Sequence, residues 1–131
     1  MSVPGERVRR AVIPREECLD LLRRADLARV VISVRCLPAA LPARITVIDE
    51  GLVLLASAEE AVVVAARRGD VLSIQIDGLE DDGATWSVMG SGIAELPSGE
   101  PPLSESLTRA VAGGATLIAL PLTILSGERV G

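Results

Sequence analysis

Several side chains that often carry acid–base and nucleophilic chemistry, namely His, Lys and Tyr, are missing from this chain. Its 131 residues include no His and no Tyr, and every basic residue is Arg. Without imidazole there is no Ser-His-Asp triad and no Cys-His pair, and without Lys there is no Schiff base. The triplet Gly90-Ser91-Gly92 lacks the spacer residues of a nucleophile elbow, so it indicates a bend in a strand. Side-chain catalysis by these routes is nearly excluded.

The acidic residues and the cysteines also have simpler explanations than a site. Residues 77–83 (DGLEDDG) do not place acids at alternate positions before a closing Glu, as a calcium loop does, and they predict a solvated hairpin tip. Glu59 and Glu60 form an acidic pair that a charged, solvated surface explains. Cys18 and Cys36 are too few for a disulfide framework, and we expect two buried or semi-buried free thiols. No metal site is predicted.

Cofactor-dependent chemistry is compatible with the missing side chains, because a bound cofactor carries the reaction and the protein positions and tunes it. A cofactor with a phosphate needs arginines, hydroxyls and backbone N–H groups as ligands. Arg44, Ser57 and the first amides of a helix expected over residues 59–68 can supply them. These groups are the candidate anion ligands of the chain.

The composition favours a small, apolar protein that works as a homodimer. Hydrophobic residues make up 49% of the chain, yet Trp86 is its only aromatic residue, so the core must consist of Val, Leu, Ile and Ala. A chain of this length is expected to form one domain, here over residues 1–131 with a polar arm at 1–13. So short and apolar a chain is expected to cover part of its apolar surface with a second copy of itself.

Charge and hydropathy limit the partners and the location. The net charge of −5 disfavours binding to nucleic acid or to an anionic membrane surface. No apolar run reaches the ~20 residues that span a bilayer, and the charged N-terminus lacks the apolar stretch of a signal peptide. We therefore expect a cytoplasmic protein that binds neither nucleic acid nor a membrane.

Hydrophobic periodicity predicts six strands and three short helices. The helices are expected over residues 14–26, 59–68 and 104–112, and the strands over 29–34, 39–48, 52–57, 71–77, 85–96 and 116–125, the last interrupted at Pro121. The second helix is ambiguous, because the run Val62-Val63-Val64 favours a strand, whereas its acidic start and its closing Arg-Arg-Gly favour a helix. We adopt the helix. Short turns between successive strands favour an antiparallel barrel or meander.

Five segments, taken in order, resemble a known family. They are PREECLDLLRRADLARVVISV, RCLPAALPARITVID, ARRGDVLSIQIDG, ATWSVMGSG and IALPLTILSGERV. The ordered set resembles the FMN-binding split-barrel proteins, which are relatives of pyridoxamine 5′-phosphate oxidase. The resemblance implies a mostly β, six-stranded split β-barrel homodimer, with FMN or a related deazaflavin at the subunit interface. It also implies an oxidoreductase that acts on a small molecule through the cofactor.

The cofactor contacts implied by the resemblance are only partly present. Trp86 and Ser87 match the family's Trp-Ser-Val segment, which lies near the cofactor; their simpler roles are a core anchor and a plain strand hydroxyl. The family usually ends the third predicted strand with Arg and then Thr or Ser, followed by a Gly-rich turn and a phosphate-binding Lys. Here these positions hold Ala56, Ser57 and Val62, so only the hydroxyl is kept.

The turn between this strand and the next helix adds a second departure from the family. It carries Glu59 and Glu60, and two carboxylates beside a phosphate repel it. Arg44 and Arg67 are the cations that can compensate. Their simpler roles are an outward strand residue for Arg44 and a helix C-terminal cation for Arg67.

Two functions of different classes follow from this pattern. The first is a flavin-binding oxidoreductase, and the second is a cofactor-free split-barrel homodimer that serves as a binding or structural module. If FMN binds, we expect it to bind weakly and riboflavin to bind nearly as well, because the cations expected at Ala56 and Val62 are missing. The same alignment predicts that Ala56→Arg with Val62→Lys rebuilds the phosphate site.

Overall fold

A computed structural model describes residues 9–131, so the first eight residues of the expected polar arm lie outside the described part. The helices are α1 (Arg15–Arg24), α2 (Glu60–Arg68) and α3 (Glu105–Ala112). The strands are β1 (Arg10–Val12), β2 (Leu27–Val34), β3 (Leu37–Val47), β4 (Leu52–Ser57), β5 (Val71–Leu79), β6 (Thr85–Ile93), β7 (Thr116–Pro121) and β8 (Ile124–Val130). They form one sheet in the order β1-β8-β6-β5-β2-β3-β4-β7. Among the described residues, no helix is long and apolar enough to cross a membrane.

The sheet has eight strands where the periodicity predicts six. The first additional strand, β1, lies in the expected arm and pairs with β8, with Arg10 opposite Val130. The interruption expected at Pro121 in the strand over residues 116–125 is confirmed, because β7 ends at Pro121 and β8 begins at Ile124; the extension of β8 to Val130 was not predicted. β7 pairs with β4 and β8 pairs with β6, so a two-residue link joins strands near opposite edges of the sheet. The sheet must therefore curl, and the mostly β, split-barrel expectation is confirmed.

Two glycines of β6 allow the curled sheet to close on the end of β7. A Cβ atom at Gly92 would lie 1.8 Å from the carbonyl oxygen of Pro121. A Cβ atom at Gly90 would lie 2.9 Å from both terminal methyl carbons of Leu122. Neither position leaves room for a side chain, so the glycines that indicated a bend are required for this close approach.

The barrel is open between β2 and β5. These two strands pair only from Arg29 opposite Gln75 to Val31 opposite Ser73. β5 instead continues its pairing with β6 as far as Leu79. The β2–β3 hairpin and the β5–β6 hairpin therefore diverge before Arg29, and this divergence is the split of the barrel. An exposed ion pair spans the opening, with Arg29 Nη1 lying 3.3 Å from Asp77 Oδ2.

The core consists of aliphatic side chains, as the composition predicts. The main cluster fills the inside of the curl, and its fully buried members include Val30, Ile45, Leu55, Leu72, Ile74, Val88, Ile118 and Leu120. A second cluster lies on the outer face of β4 and β7 beneath α3, with Leu54 and Leu107 fully buried. Successive residues of β4 thus enter different clusters, which explains why this strand is apolar on both faces.

Helix α1 is held by apolar contacts and by one charged network. Cys18 and Leu22 are buried against the main cluster. Arg129 of β8 donates from Nη2 to Glu17 Oε1 at 2.5 Å and from Nε to Glu80 Oε1 at 2.6 Å. The hydrogen bond from Arg129 lowers the pKa of Glu17, and hydrogen bonds to Glu17 and then Glu80 raise the pKa of Arg129. The network fastens the start of α1 to the β5–β6 hairpin and the C-terminal strand.

The two cysteines differ in their exposure. Both are free, and Cys18 is buried, as expected. The expectation that Cys36 is at least half-buried was wrong, because it lies exposed at the tip of the β2–β3 hairpin. Arg35 and Cys36 have φ angles of 53° and 65°, the conformation of a tight two-residue hairpin turn. Such a turn projects its side chains into solvent.

Candidate functional site

The pairing of β3 with β4 brings the candidate anion ligands to one corner of the fold. Arg44 is the Cα partner of Ala56, and α2 begins shortly after Ser57. We call the group formed by Arg44, Ala56, Ser57, Glu59 and Glu60 the β4–α2 corner. Arg44 is exposed, as an outward strand residue is, and within residues 9–131 no carboxylate forms an ion pair with it. The corner therefore offers an unpaired guanidinium.

Ser57 fixes the shape of this corner. Its side chain is 3% exposed, and its Oγ accepts a hydrogen bond of 3.1 Å from the N–H of Glu59. Glu59 is the N-cap residue of α2, and no described side chain caps the helix. N–H groups in the first turn of a helix have no partner inside the helix, so those of Glu60 and Ala61 are available to an anion. A negatively charged group placed here would meet these backbone donors, whereas the Arg44 side chain lies on the opposite face of the sheet, where it lines a surface cleft with Ser104 and Arg109 at α3.

The structure corrects the position expected for a phosphate-binding lysine. Val62 is 0% exposed and lies in the main core, because α2 packs on the barrel through Val62, Ala65 and Ala66. A lysine at this position would place its ammonium group in the core, so the expectation that it reaches a phosphate was wrong. Ala56 is 4% exposed and lies in the second cluster with Leu107 of α3, so an arginine there would meet an apolar neighbour.

The carboxylates of the corner oppose an anionic ligand. Glu59 and Glu60 are both exposed at the start of α2, where the positive end of the helix dipole favours them. They use part of the positive potential that an incoming anion would otherwise meet. With Arg44 included, the corner carries one cation and two carboxylates.

Arg67 lies away from the corner. It is exposed in the last turn of α2, seven residues after Glu60, which at 1.5 Å per residue separates the two backbone positions by roughly 10 Å. There its charge complements the negative end of the helix dipole. The structure thus gives Arg67 the geometry of a helix C-terminal cation.

Trp86 and Ser87 project to opposite faces of β6. Ser87 shares the outward row with its Cα partners Asp77 and Glu128. The Trp86 ring lies on Gly78 of β5, where an added Cβ would be 2.6 Å from Cζ2, and it packs against the main core. Trp86 is therefore a partial core anchor whose exposed side faces the opening of the barrel.

The split between β2 and β5 forms a cleft of about 670 Å³, which we call the Trp86 cleft. Its apolar walls include Leu21, Ala25, Leu27, Pro42 and Ile76, contributed by α1, β2, β3 and β5. Trp86 supplies an aromatic surface, and the polar groups include Arg24, Arg29 and Asp77. An apolar wall with a few charged groups is typical of small-molecule sites.

Sequence reasoning missed the charged residues of this cleft. Arg29 and Asp77 are 48 residues apart, and Arg24 lies on a helix that precedes both strands, so no local pattern connects them. The cleft adjoins the β4–α2 corner, because Leu27 is the Cα partner of Arg44. Of the five site residues predicted from the sequence, Arg44 and Ser57 lie on paired strands but project to opposite faces, Trp86 lines the adjoining cleft, and Ser87 and Arg67 lie elsewhere.

Comparison with protein families identifies the class of this protein. The family model described as pyridoxamine 5′-phosphate oxidase matches residues 14–115, and the chain belongs to this family. The match confirms the resemblance inferred from the five sequence segments. No protein of curated function is significantly similar in sequence.

Solved structures share the fold at low sequence identity. The FAD binding protein from Mycobacterium smegmatis is 23% identical with a TM-score of 0.69, over 92% of this chain and 98% of that one. A FAD-binding protein from Mesorhizobium loti is 14% identical with a TM-score of 0.71, over 95% and 98%. The FAD and heme binding protein from Mycobacterium smegmatis is 15% identical with a TM-score of 0.63, over 91% and 72%. At these identities the likeness establishes the fold.

Proposed function

We propose that this chain binds a flavin, FMN in the first place, and acts with it as a cytoplasmic oxidoreductase on a small molecule. Membership of the family supports flavin binding, and so do structural relatives that are described as FAD-binding proteins. A bound flavin would supply hydride and electron transfer, which the chain's own side chains lack. A related deazaflavin is the alternative ligand of the same class.

The observation that carries this proposal is the unpaired guanidinium of Arg44 on β3, whose partner strand β4 leads directly into the uncapped start of α2. A phosphate fits this combination, since arginine provides charge-assisted hydrogen bonds and the helix provides backbone donors. Ser57 keeps the turn in shape through its bond to the N–H of Glu59. Glu59 and Glu60 weaken the attraction, so the phosphate is held less firmly than the presence of Arg44 alone would imply.

The outward face of the sheet supports the proposal of a homodimer. Val71, Met89, Ile93 and Ile124 lie on this face and are 65%, 38%, 59% and 65% exposed. Small uncharged residues separate them, namely Ser73, Ser91 and Ser126. Ser87 belongs to the same face but is separated from Arg44 by β5 and β2, so a second copy is needed to bring such a residue to a shared ligand. Light scattering should give twice the chain mass; a persistent monomer would contradict the homodimer.

Titration with FMN and riboflavin tests the flavin site. We expect Arg44→Gln to weaken FMN binding about tenfold, as loss of one charge-assisted hydrogen bond does, and to leave riboflavin binding unchanged. Arg23→Gln is the matched control, because Arg23 is an exposed α1 residue that pairs with Asp20. If Arg67 held the cofactor, Arg67→Gln would weaken FMN binding. The position of Arg67 predicts no change. Failure of the wild-type chain to bind FMN, riboflavin or a deazaflavin would overturn the proposal.

The cofactor-free module remains the second candidate because of one observation. The sequence alignment assigns the family's two cations to Val62 and Ala56, which are buried in apolar clusters, and no residue from 45 to 66 is an Arg or Lys that replaces them in a shifted register. Neither can turn outward to a phosphate without unpacking a helix. Purified protein without yellow colour, which also fails to bind added flavin, would favour this candidate; a yellow protein with bound flavin would exclude it.

A further inference from the structure

The Trp86 cleft has the dimensions and lining of a small-molecule site that is separate from the proposed phosphate site. It exists because β2 and β5 stop pairing at Arg29 and Gln75, while α1 covers the gap from one side. Its volume of about 670 Å³ lies within the usual range for ligand pockets, and most of its wall is apolar. An apolar ligand body therefore fits between the two hairpins.

Trp86 gives the cleft a fixed aromatic surface. Its indole ring is pressed against the backbone of Gly78, the Cα partner of Trp86, and it packs on the main core. A ring held in this way loses little freedom when a ligand stacks on it, so stacking there is favourable. A planar aromatic ligand uses this surface better than a flexible chain does.

The charges of the cleft select the sign of the ligand. Arg24 donates only its Nε, to the carbonyl of Asp20 at 3.3 Å, among the described contacts. Arg29 is paired with Asp77 at 3.3 Å, and because both side chains are more than half exposed, this pair is weak. Two arginines and one aspartate leave one positive charge in excess, in a chain whose net charge is −5. A monoanion balances the cleft.

We propose that the Trp86 cleft binds a planar aromatic monocarboxylate. The aromatic body stacks on Trp86 within the split, and the carboxylate extends through the split to the outward face, where it takes the place of Asp77 on Arg29, with Arg24 as the second cation. The site does not depend on a bound flavin, since its residues are distinct from those of the β4–α2 corner.

The probe that tests this site is 2-naphthoate, titrated into the full-length chain. Trp86 is the only tryptophan, so its indole N–H gives a single side-chain signal in a nitrogen–proton correlation spectrum. We expect this signal to shift and saturate with 2-naphthoate. The uncharged 2-naphthamide should bind about tenfold more weakly, because it lacks the charge-assisted hydrogen bonds.

Substitutions of the charged pair should change the affinity in opposite directions. Arg29→Gln should weaken 2-naphthoate binding about tenfold. Asp77→Asn should strengthen it about twofold to fivefold, because Arg29 is freed from an exposed ion pair. Neither change should alter the binding of 2-naphthamide. Arg23→Gln, on the exposed side of α1, is the control and should leave the affinity unchanged.

Filling the cleft tests its location without changing charge. Ala25→Leu adds volume to the α1 wall and should abolish the indole shift, whereas the same change at exposed Ala112 in α3 should leave it intact. Circular dichroism verifies that each variant is folded. Equal affinity for the acid and the amide, or saturable binding without an indole shift, would overturn the proposal. Competition between 2-naphthoate and FMN would also overturn it, because the cleft would then belong to the flavin site. Simultaneous binding of the two ligands, each with unchanged affinity, supports it.

Discussion

The β4–α2 corner and the Trp86 cleft lie on neighbouring strands, yet they differ in how they are built and charged. The corner comes from a short stretch of chain and combines Arg44 with Glu59 and Glu60, which leaves an excess of one negative charge. The cleft gathers Arg24, Arg29 and Asp77 from separate elements and has an excess of one positive charge.

This difference shows that a local sequence pattern does not by itself fix the net charge around a candidate site. The corner has the order of groups expected for a phosphate site, but its own carboxylates oppose the ligand. The cleft has no sequence pattern, but tertiary structure gives it a cationic excess beside an apolar wall. The substitutions below therefore act differently in the two regions.

The largest expected effect is a loss of stability from Val62→Lys, in the helix α2 that begins at the β4–α2 corner. Because Val62 is fully buried in the main core, the new ammonium group should lower the free energy of unfolding by about 3 kcal/mol or more instead of improving FMN binding. Urea denaturation measures the loss. Ala61→Lys is the matched control, since Ala61 is only half-buried and lines a surface cleft, and should cost far less. A stable Val62→Lys variant with stronger FMN binding would mean that this face of α2 is turned toward the ligand.

The next effect is expected in the cleft, from Gly78→Ala. The new Cβ would lie 2.6 Å from Trp86 Cζ2, so the indole ring must move, and overpacking of this kind costs about 1–3 kcal/mol. We expect a lower urea midpoint together with a displaced indole N–H signal. Gly51→Ala is the control, because its Cβ would have only ordinary contacts, at 3.6 Å and 3.7 Å. An unchanged indole signal in Gly78→Ala would show that the ring does not rest on this glycine.

A smaller effect is expected from neutralising the carboxylates of the corner. Glu59→Gln with Glu60→Gln should strengthen FMN binding about twofold to tenfold and leave riboflavin binding unchanged, because only the phosphate meets these charges. Asp81→Asn with Asp82→Asn makes the same change in net charge at the exposed β5–β6 tip and should have little effect. Equal gains in both double variants would point to the overall charge of the protein instead of the corner.

The smallest effect concerns α1, which forms one wall of the cleft. The pKa of Glu17 is lowered in the folded protein by its hydrogen bond from Arg129, so its contribution to stability is present above the ordinary pKa of Glu, 4.5, and is lost as the pH falls through the lowered value. Thermal unfolding should show a smaller loss of Tm on acidification for Glu17→Gln than for the wild type. Glu16→Gln, its exposed neighbour, should retain the wild-type pH dependence. Identical profiles for Glu17→Gln and wild type would contradict the role of this network.

Local sequence patterns were sufficient for most elements of the fold. The helix over residues 59–68 formed despite Val62-Val63-Val64, because the acidic first turn and the closing Gly69 in the left-handed conformation suit a helix, and the valines gain burial there. The alternation along residues 71–77 predicted a strand, and β5 runs over Val71–Leu79. Such features depend on neighbours in the chain, which a sequence contains directly.

Orientation was harder to infer than the presence of an element. A shift of one residue in the alignment turns a helical side chain by about 100°, which is why Val62 was assigned to a phosphate and instead lies in the core. The interruption at Pro121 was predicted, but the extension of β8 to Val130 was not, because it follows from the closure of the barrel, where β7 meets Gly92 and β8 pairs with β6.

The sequence by itself determined an aliphatic core, three helices, most of the strands and a chain without the His and Lys of the common nucleophilic mechanisms. Only the tertiary structure decided that β2 and β5 separate, that Arg29 meets Asp77, and that Trp86 lies on Gly78 at the mouth of the resulting cleft. The physical reason is distance along the chain. Contacts between residues tens of positions apart are set by strand register and by the curl of the sheet, and neither is encoded in any one segment.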